Sequence, residues 1–122
     1  MIKKTVTYTD YNGNERTEEF RFNLNRNELL KLQSKYPEGF DKRMQKIVTD
    51  NDAEAMLNVF EDLLLSSFGI KSEDGSRFDK SKEISEAFKS SPAYDIIFME
   101  LANNEEEASN FINGIIPANL RK

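Results

Sequence analysis

The sequence predicts an α+β fold: a β-hairpin over residues 2–24 packed on a small bundle of about five or six helices. Three observations carry the prediction. The first two dozen residues alternate with a period of two, the remainder follows helical spacing, and capping residues punctuate the helical part at regular intervals. At 122 residues the chain is read as one domain, residues 1–122. Apolar residues make up 38%, and nine Phe and four Tyr supply large buried areas for a modest core.

The hairpin comes first. Ile2, Lys4, Val6 and Tyr8 share one side of a strand over 2–9; Phe20, Phe22 and Leu24 share one side of a second over 16–24. Asn12-Gly13 between them suits a type I′ turn, which needs positive φ at both central residues. The Phe-bearing face must lie on helices, because an isolated hairpin is marginal in water.

Residues 25–116 read as helical. Asn25/Glu28, Asn51/Glu54 and Asn104/Glu107 are three capping-box candidates, in which Asn accepts from an orphan amide and Glu reaches back. Leu29, Leu32 and Tyr36 form the first stripe, closed by Pro37, and Phe40, Met44, Ile47 and Val48 form a second. A longer helix over 52–68 carries Ala53, Met56, Leu57, Phe60, Leu63, Leu64 and Phe68. Gly69 then suits a left-handed stop, with Ile70 packing back on Leu65. Ile84, Ala87 and Phe88 share a face after Ser81. Ser91-Pro92 opens a helix over 92–102, and a last one over 105–114 presents Ala108, Phe111 and Ile112.

Between two of these helices lies "GIKSEDGSRFDKS", residues 69–81. It is not a calcium loop: Lys71 stands where a ligand belongs, and Arg77 adds another positive charge. The reading is a structural loop built on Gly69, Asp74, Gly75, Arg77 and Phe78. Asp74-Gly75 makes the turn, the Phe78 ring anchors it, and Arg77 reaches an acidic group of a neighbouring helix or of a second copy.

Composition narrows the function. Without His or Cys, imidazole bases, thiol nucleophiles and the usual zinc ligands are excluded, and no phosphate-loop pattern occurs. No catalytic residue, cofactor site or metal site is assigned. Residues 1–50 carry ten basic and eight acidic residues; residues 51–122 carry seven and fourteen, which argues against nucleic acid as a partner. No apolar run reaches the ~18 residues of a membrane span and no signal peptide is visible, so a cytosolic protein is expected.

The informative feature is "AYDIIFMEL". Tyr94, Ile97, Phe98 and Leu101 form one stripe and Ile96 with Met99 a second, so the helix is either central in its bundle or shared with a partner. Phe111, Ile112, Ile115 and Ile116 add further large apolar side chains. Ile96, Met99, Phe111, Ile112, Ile115 and Ile116 are therefore the candidate partner-binding residues.

Taken together, "TVTYTDYNGNERTEEFRFNLNRNEL", "LLLSSFGIKSEDGSRFDKS", "SSPAYDIIFMEL" and "FINGIIP" resemble the tail assembly chaperones of long-tailed bacteriophages over almost the whole chain. One departure is Asp79, where the pattern favours an apolar residue after Arg-Phe. The resemblance implies a non-enzymatic factor in the cytoplasm of the infected host, absent from the mature virion. It would coat the tape measure protein, keep it soluble and help tail tube (major tail) protein subunits polymerise around it, with self-association for coverage. In many phages such a gene also yields a frameshifted, extended product; "PANLRK" is compatible with the short form. The alternative class is a small acidic adaptor or inhibitor that binds one folded partner at fixed stoichiometry.

Overall fold

The structure, a computed structural model, describes residues 1–115, with all their side chains except those of Asp41 and Val48. Strands β1 (Ile2–Thr9) and β2 (Glu15–Phe22) form the hairpin. Helices α1 (Arg26–Ser34), α2 (Phe40–Thr49) and α3 (Ala53–Ser67) follow. Two short strands come next, β3 (Phe68–Lys71) and β4 (Phe78–Asp79), then α4 (Lys82–Lys89), α5 (Pro92–Asn103) and α6 (Glu105–Ile115). The predicted α+β architecture is observed, with a difference. The sheet has four antiparallel strands in the order β1-β2-β3-β4, because the 69–81 loop itself folds into a second hairpin on the edge of the first.

The first hairpin pairs eight residues with eight, from Ile2 opposite Phe22 to Thr9 opposite Glu15. Its turn departs from the type I′ expectation. The Gly13 amide donates to the Asp10 carbonyl at 3.0 Å, and Gly13 alone in the turn has positive φ, at 85°. The Asp10 carboxylate accepts from the amides of Asn12 and Asn14, each at 2.9 Å, and from Arg16 Nε at 2.8 Å. This side-chain scaffold, rather than left-handed Asn12, closes the turn.

The inward face of β2 puts Phe20 and Phe22 into an aromatic cluster. Phe68 stacks on Phe88 with centroids 4.1 Å apart, and Phe111 meets Phe22 edge-on at 5.2 Å. Leu63, Leu64 and Ile97 complete the centre of this core. Lys4 occupies an inward position on β1 and ends between Glu100 of α5 (3.3 Å) and Glu107 of α6 (3.6 Å), so its charge is matched where the helices meet the sheet.

Several helix ends follow local chemistry. Asn25 and Glu28 make the complete capping box, Ser91 caps α5 with Pro92 in its first turn, and Asn104 accepts from Glu107 N. At α3 the cap is Asp52, which accepts from Ala55 N at 3.0 Å. Asn51, the residue expected there, instead takes a left-handed turn at φ 52°. The Gly69 expectation also fails. Phe68, read as the last residue of a helical stripe, is already extended and starts β3, and Ile70 is exposed rather than packed on Leu65. Glycine is needed at 69 for space: a Cβ there would stand 2.6 Å from Phe78 Cε2 and 2.9 Å from the Asp79 carbonyl oxygen.

Candidate interaction surface

Within the second hairpin, the Asp74 carboxylate is committed to the turn. One oxygen accepts from Ser72 Oγ (2.8 Å), Ser76 Oγ (2.8 Å) and Ser76 N (3.0 Å), and these bonds, the last foremost, hold its pKa below the ordinary carboxylate value. Gly75 follows at φ 79°, closing the turn with its amide on Ser72 O. Among the described residues no group of three acidic side chains is placed to hold a metal ion. Arg77 does not reach a neighbouring helix; it bonds Asp79 at 3.3 Å, two residues along the chain. That pair accounts for a charged residue at 79. Phe78 is half-buried against Gly69.

The residue that fastens this loop to the helices is Lys80, which sequence reasoning passed over. Its ammonium donates to Asn23 O (2.6 Å), Ser66 O (2.9 Å) and Glu28 Oε2 (2.7 Å), joining the end of β2, the last turn of α3 and the cap of α1. Burial lowers its pKa, and the Glu28 carboxylate pulls the other way. A lysine flanked by Asp79 and Ser81 reads as solvated. Only the fold reveals three acceptors converging on it.

The candidate partner residues separate into two groups. Ile96 and Met99 lie one turn apart on α5 and are 42% and 46% exposed. Phe111 and Ile115 are 2% and 1% exposed: α6 turns them into the core, and Ile112 packs against that core half-buried. Of the candidate residues, Ile96 and Met99 are thus open to solvent, whereas Phe111 and Ile115 are enclosed by the core. Ile116 lies outside the described residues.

Ile96 also lines an open groove of about 590 Å³ between the tip of the first hairpin and the start of α5. Tyr8, Thr9 and Tyr11 form one wall, Pro92, Tyr94 and Ile96 the other, with Lys89 and Asp95 at the margin. Tyr11 stands 84% exposed at the hairpin tip. Burial, and next the Glu61 carboxylate, push the Tyr94 phenol up to about 12. The hydrogen bond from Tyr8 to the Glu18 carboxylate raises the Tyr8 phenol as well. Both phenols stay neutral at ordinary pH, so the groove offers aromatic faces and hydroxyls, a surface suited to amphipathic segments. The clue in the sequence was the spacing of Tyr8 and Tyr11 around a turn, but nothing local pairs them with Pro92 and Tyr94.

A family model described as phage tail assembly chaperone matches residues 1–122, the whole chain. No curated protein and no solved structure matches.

Proposed function

The chain belongs to the phage tail assembly chaperone family, and on that premise we propose that it binds the tape measure protein through α5 and the adjoining groove. A tail assembly chaperone acts in the host during infection and binds tail proteins. In the reading advanced here, the whole chain works as one domain, and several copies associate along the tape measure protein. They keep it soluble until tail tube subunits assemble around it, then leave, so that none remains in the virion. The task needs repeated apolar contacts of moderate strength and no catalytic group.

The observation that carries this reading is the apolar stripe of Ile96 and Met99 leading into a tyrosine-lined groove. A soluble protein keeps large apolar side chains of one helix face in water at a cost, and adaptable Met side chains suit a target with repeated, imperfect apolar spacing. The test is co-expression of the tape measure protein with and without the chain. The soluble fraction of the tape measure protein should rise with the chain present and fall back when Ile96 and Met99 are made acidic. A single complex of fixed stoichiometry with some other folded partner, and no effect on the tape measure protein, would favour an adaptor instead.

A further inference from the structure

The groove beside α5 sets tyrosine side chains next to a carboxylate that the chain leaves unpaired. Asp95 is exposed at the groove margin, and among the described residues no cation pairs with its carboxylate and no side chain donates to it. The other acids of α5 and α6 that face the sheet are matched: Glu100 and Glu107 share Lys4 at 3.3 and 3.6 Å. Nor does Asp95 cap its helix, because Ser91 Oγ already accepts from Tyr94 N at 3.3 Å. The two cations nearest the groove are committed elsewhere. Lys89 holds Glu61 of α3 at 2.6 Å, and Arg16, beside Tyr8, holds Asp10 at 2.8 Å and Glu18 at 3.6 Å.

The walls add a second attraction for positive charge. Tyr11 is 84% exposed and Tyr94 half-buried, and the face of a neutral phenol ring is the negative side of its quadrupole. A cation placed between such faces and a carboxylate is held by both. Guanidinium suits this arrangement better than ammonium. It is planar, stacks on aromatic rings, is weakly hydrated and presents paired donors to a carboxylate. Ile96 follows Asp95 directly and Met99 lies one turn on, so the cation would sit at the border of the apolar stripe.

We propose that the groove takes an arginine side chain from an amphipathic segment, the guanidinium lying against Tyr11 and Tyr94 and bonding Asp95. The apolar side chains of the same segment cover Ile96 and Met99. This rests on the binding of the tape measure protein proposed above and names what selects the segment. Apolar contact alone admits any amphipathic stretch; a charged anchor fixes register and rejects segments without one. The net charge of −5 adds long-range attraction for a cationic segment.

The experiment titrates the full chain with two synthetic amphipathic helical peptides free of aromatic residues. One carries a single Arg beside its leucine face, and the other has Gln in its place. The chain has no Trp and four Tyr, three of them lining the groove, so tyrosine emission reports occupancy directly. The Arg peptide should bind at least about fivefold more tightly than the Gln peptide, with an advantage that shrinks as salt is added. Asp95→Asn, at an exposed position, should bring the two peptides to equal affinity while leaving the Gln peptide unchanged. Tyr11→Leu, which keeps bulk and removes the ring face, should reduce the advantage as well. Equal affinities for the wild type, no binding of either peptide, or an advantage that survives both substitutions at full size overturns the arginine subsite. Should it be overturned while Ile96→Asp and Met99→Asp still lower the soluble fraction of the tape measure protein, binding at α5 stands without the subsite. An Asp95-dependent preference for the Arg peptide, with no effect of the chain on the tape measure protein, does the reverse.

Discussion

Helices α5 and α6 look alike in sequence, and the fold uses them differently. Each carries large apolar side chains on more than one face. On α6 the spacing of Phe111 and Ile115 matches the direction of the core, with Ile112 at its margin, so no large apolar side chain stands fully outside. On α5 the core accepts Ala93, Ile97 and Leu101 completely, and Ile96 and Met99 remain in solvent. Apolar content alone therefore does not single out a candidate contact surface; apolar content in excess of what the neighbouring elements can cover does.

The sharpest way to break this contrast is to truncate an α6 side chain. Phe111→Ala removes a ring packed edge-on against Phe22 and should cost about 3–5 kcal/mol in chemical denaturation. A cost below about 1 kcal/mol would place Phe111 at the surface and erase the distinction between the helices. Gly69→Ala is the next largest. Its Cβ would press on the Phe78 ring and on the Asp79 carbonyl, backbone that the β3–β4 pairing holds in place, so a loss of about 1–3 kcal/mol is expected. The same substitution at an ordinary left-handed helix stop would strain φ instead; Gly69→Asn, tolerated at such a stop, should be at least as damaging here.

How much was legible in the sequence follows from the range over which each feature is decided. The first hairpin, the capping box at Asn25 and Glu28 and the Ser91-Pro92 start of α5 are settled by residues a few positions apart, and all were readable. The strands β3 and β4 were not. They are four and two residues long, too short for a period of two to show, and exist because β2 offers an edge to pair with. Gly69 misled because a glycine after a helix commonly ends it, whereas its reason here is a ring nine residues away. Asn51 and Asp52 are adjacent and chemically equivalent as caps, so only the backbone path chooses between them. On α5 the exposed stripe of Ile96 and Met99 was recognisable by spacing. Which residues of α6 point inward was not, since that depends on where the sheet lies.

Titration gives a smaller effect that separates the groove from the rest of the surface. With the Tyr94 pKa near 12 against 10.0 for the free phenol, the unfolded chain releases the proton first as pH rises. Stability should therefore decline from about pH 10 toward pH 12. Tyr8 and Tyr36, also raised, act in the same direction. Lys80 acts oppositely: its lowered pKa lets the unfolded chain hold the proton longer, which favours the folded state as pH approaches 10.5. Tyr94→Phe should flatten the alkaline decline measured by urea unfolding at a series of pH values. An identical decline in that variant would show that burial in the groove wall does not govern it.

The smallest effect on stability tests the central claim most directly. Ile96→Asp and Met99→Asp alter residues that are nearly half exposed, and each should change unfolding free energy by no more than about 0.5 kcal/mol. With the fold intact, each variant co-expressed with the tape measure protein should leave markedly less of it soluble than the wild type does. Leu30→Asp, an equally drastic change at an exposed position on α1, should leave solubility at the wild-type level. Full solubility of the tape measure protein with both α5 variants, their melting temperatures unchanged, would contradict the assignment of this helix as the contact surface.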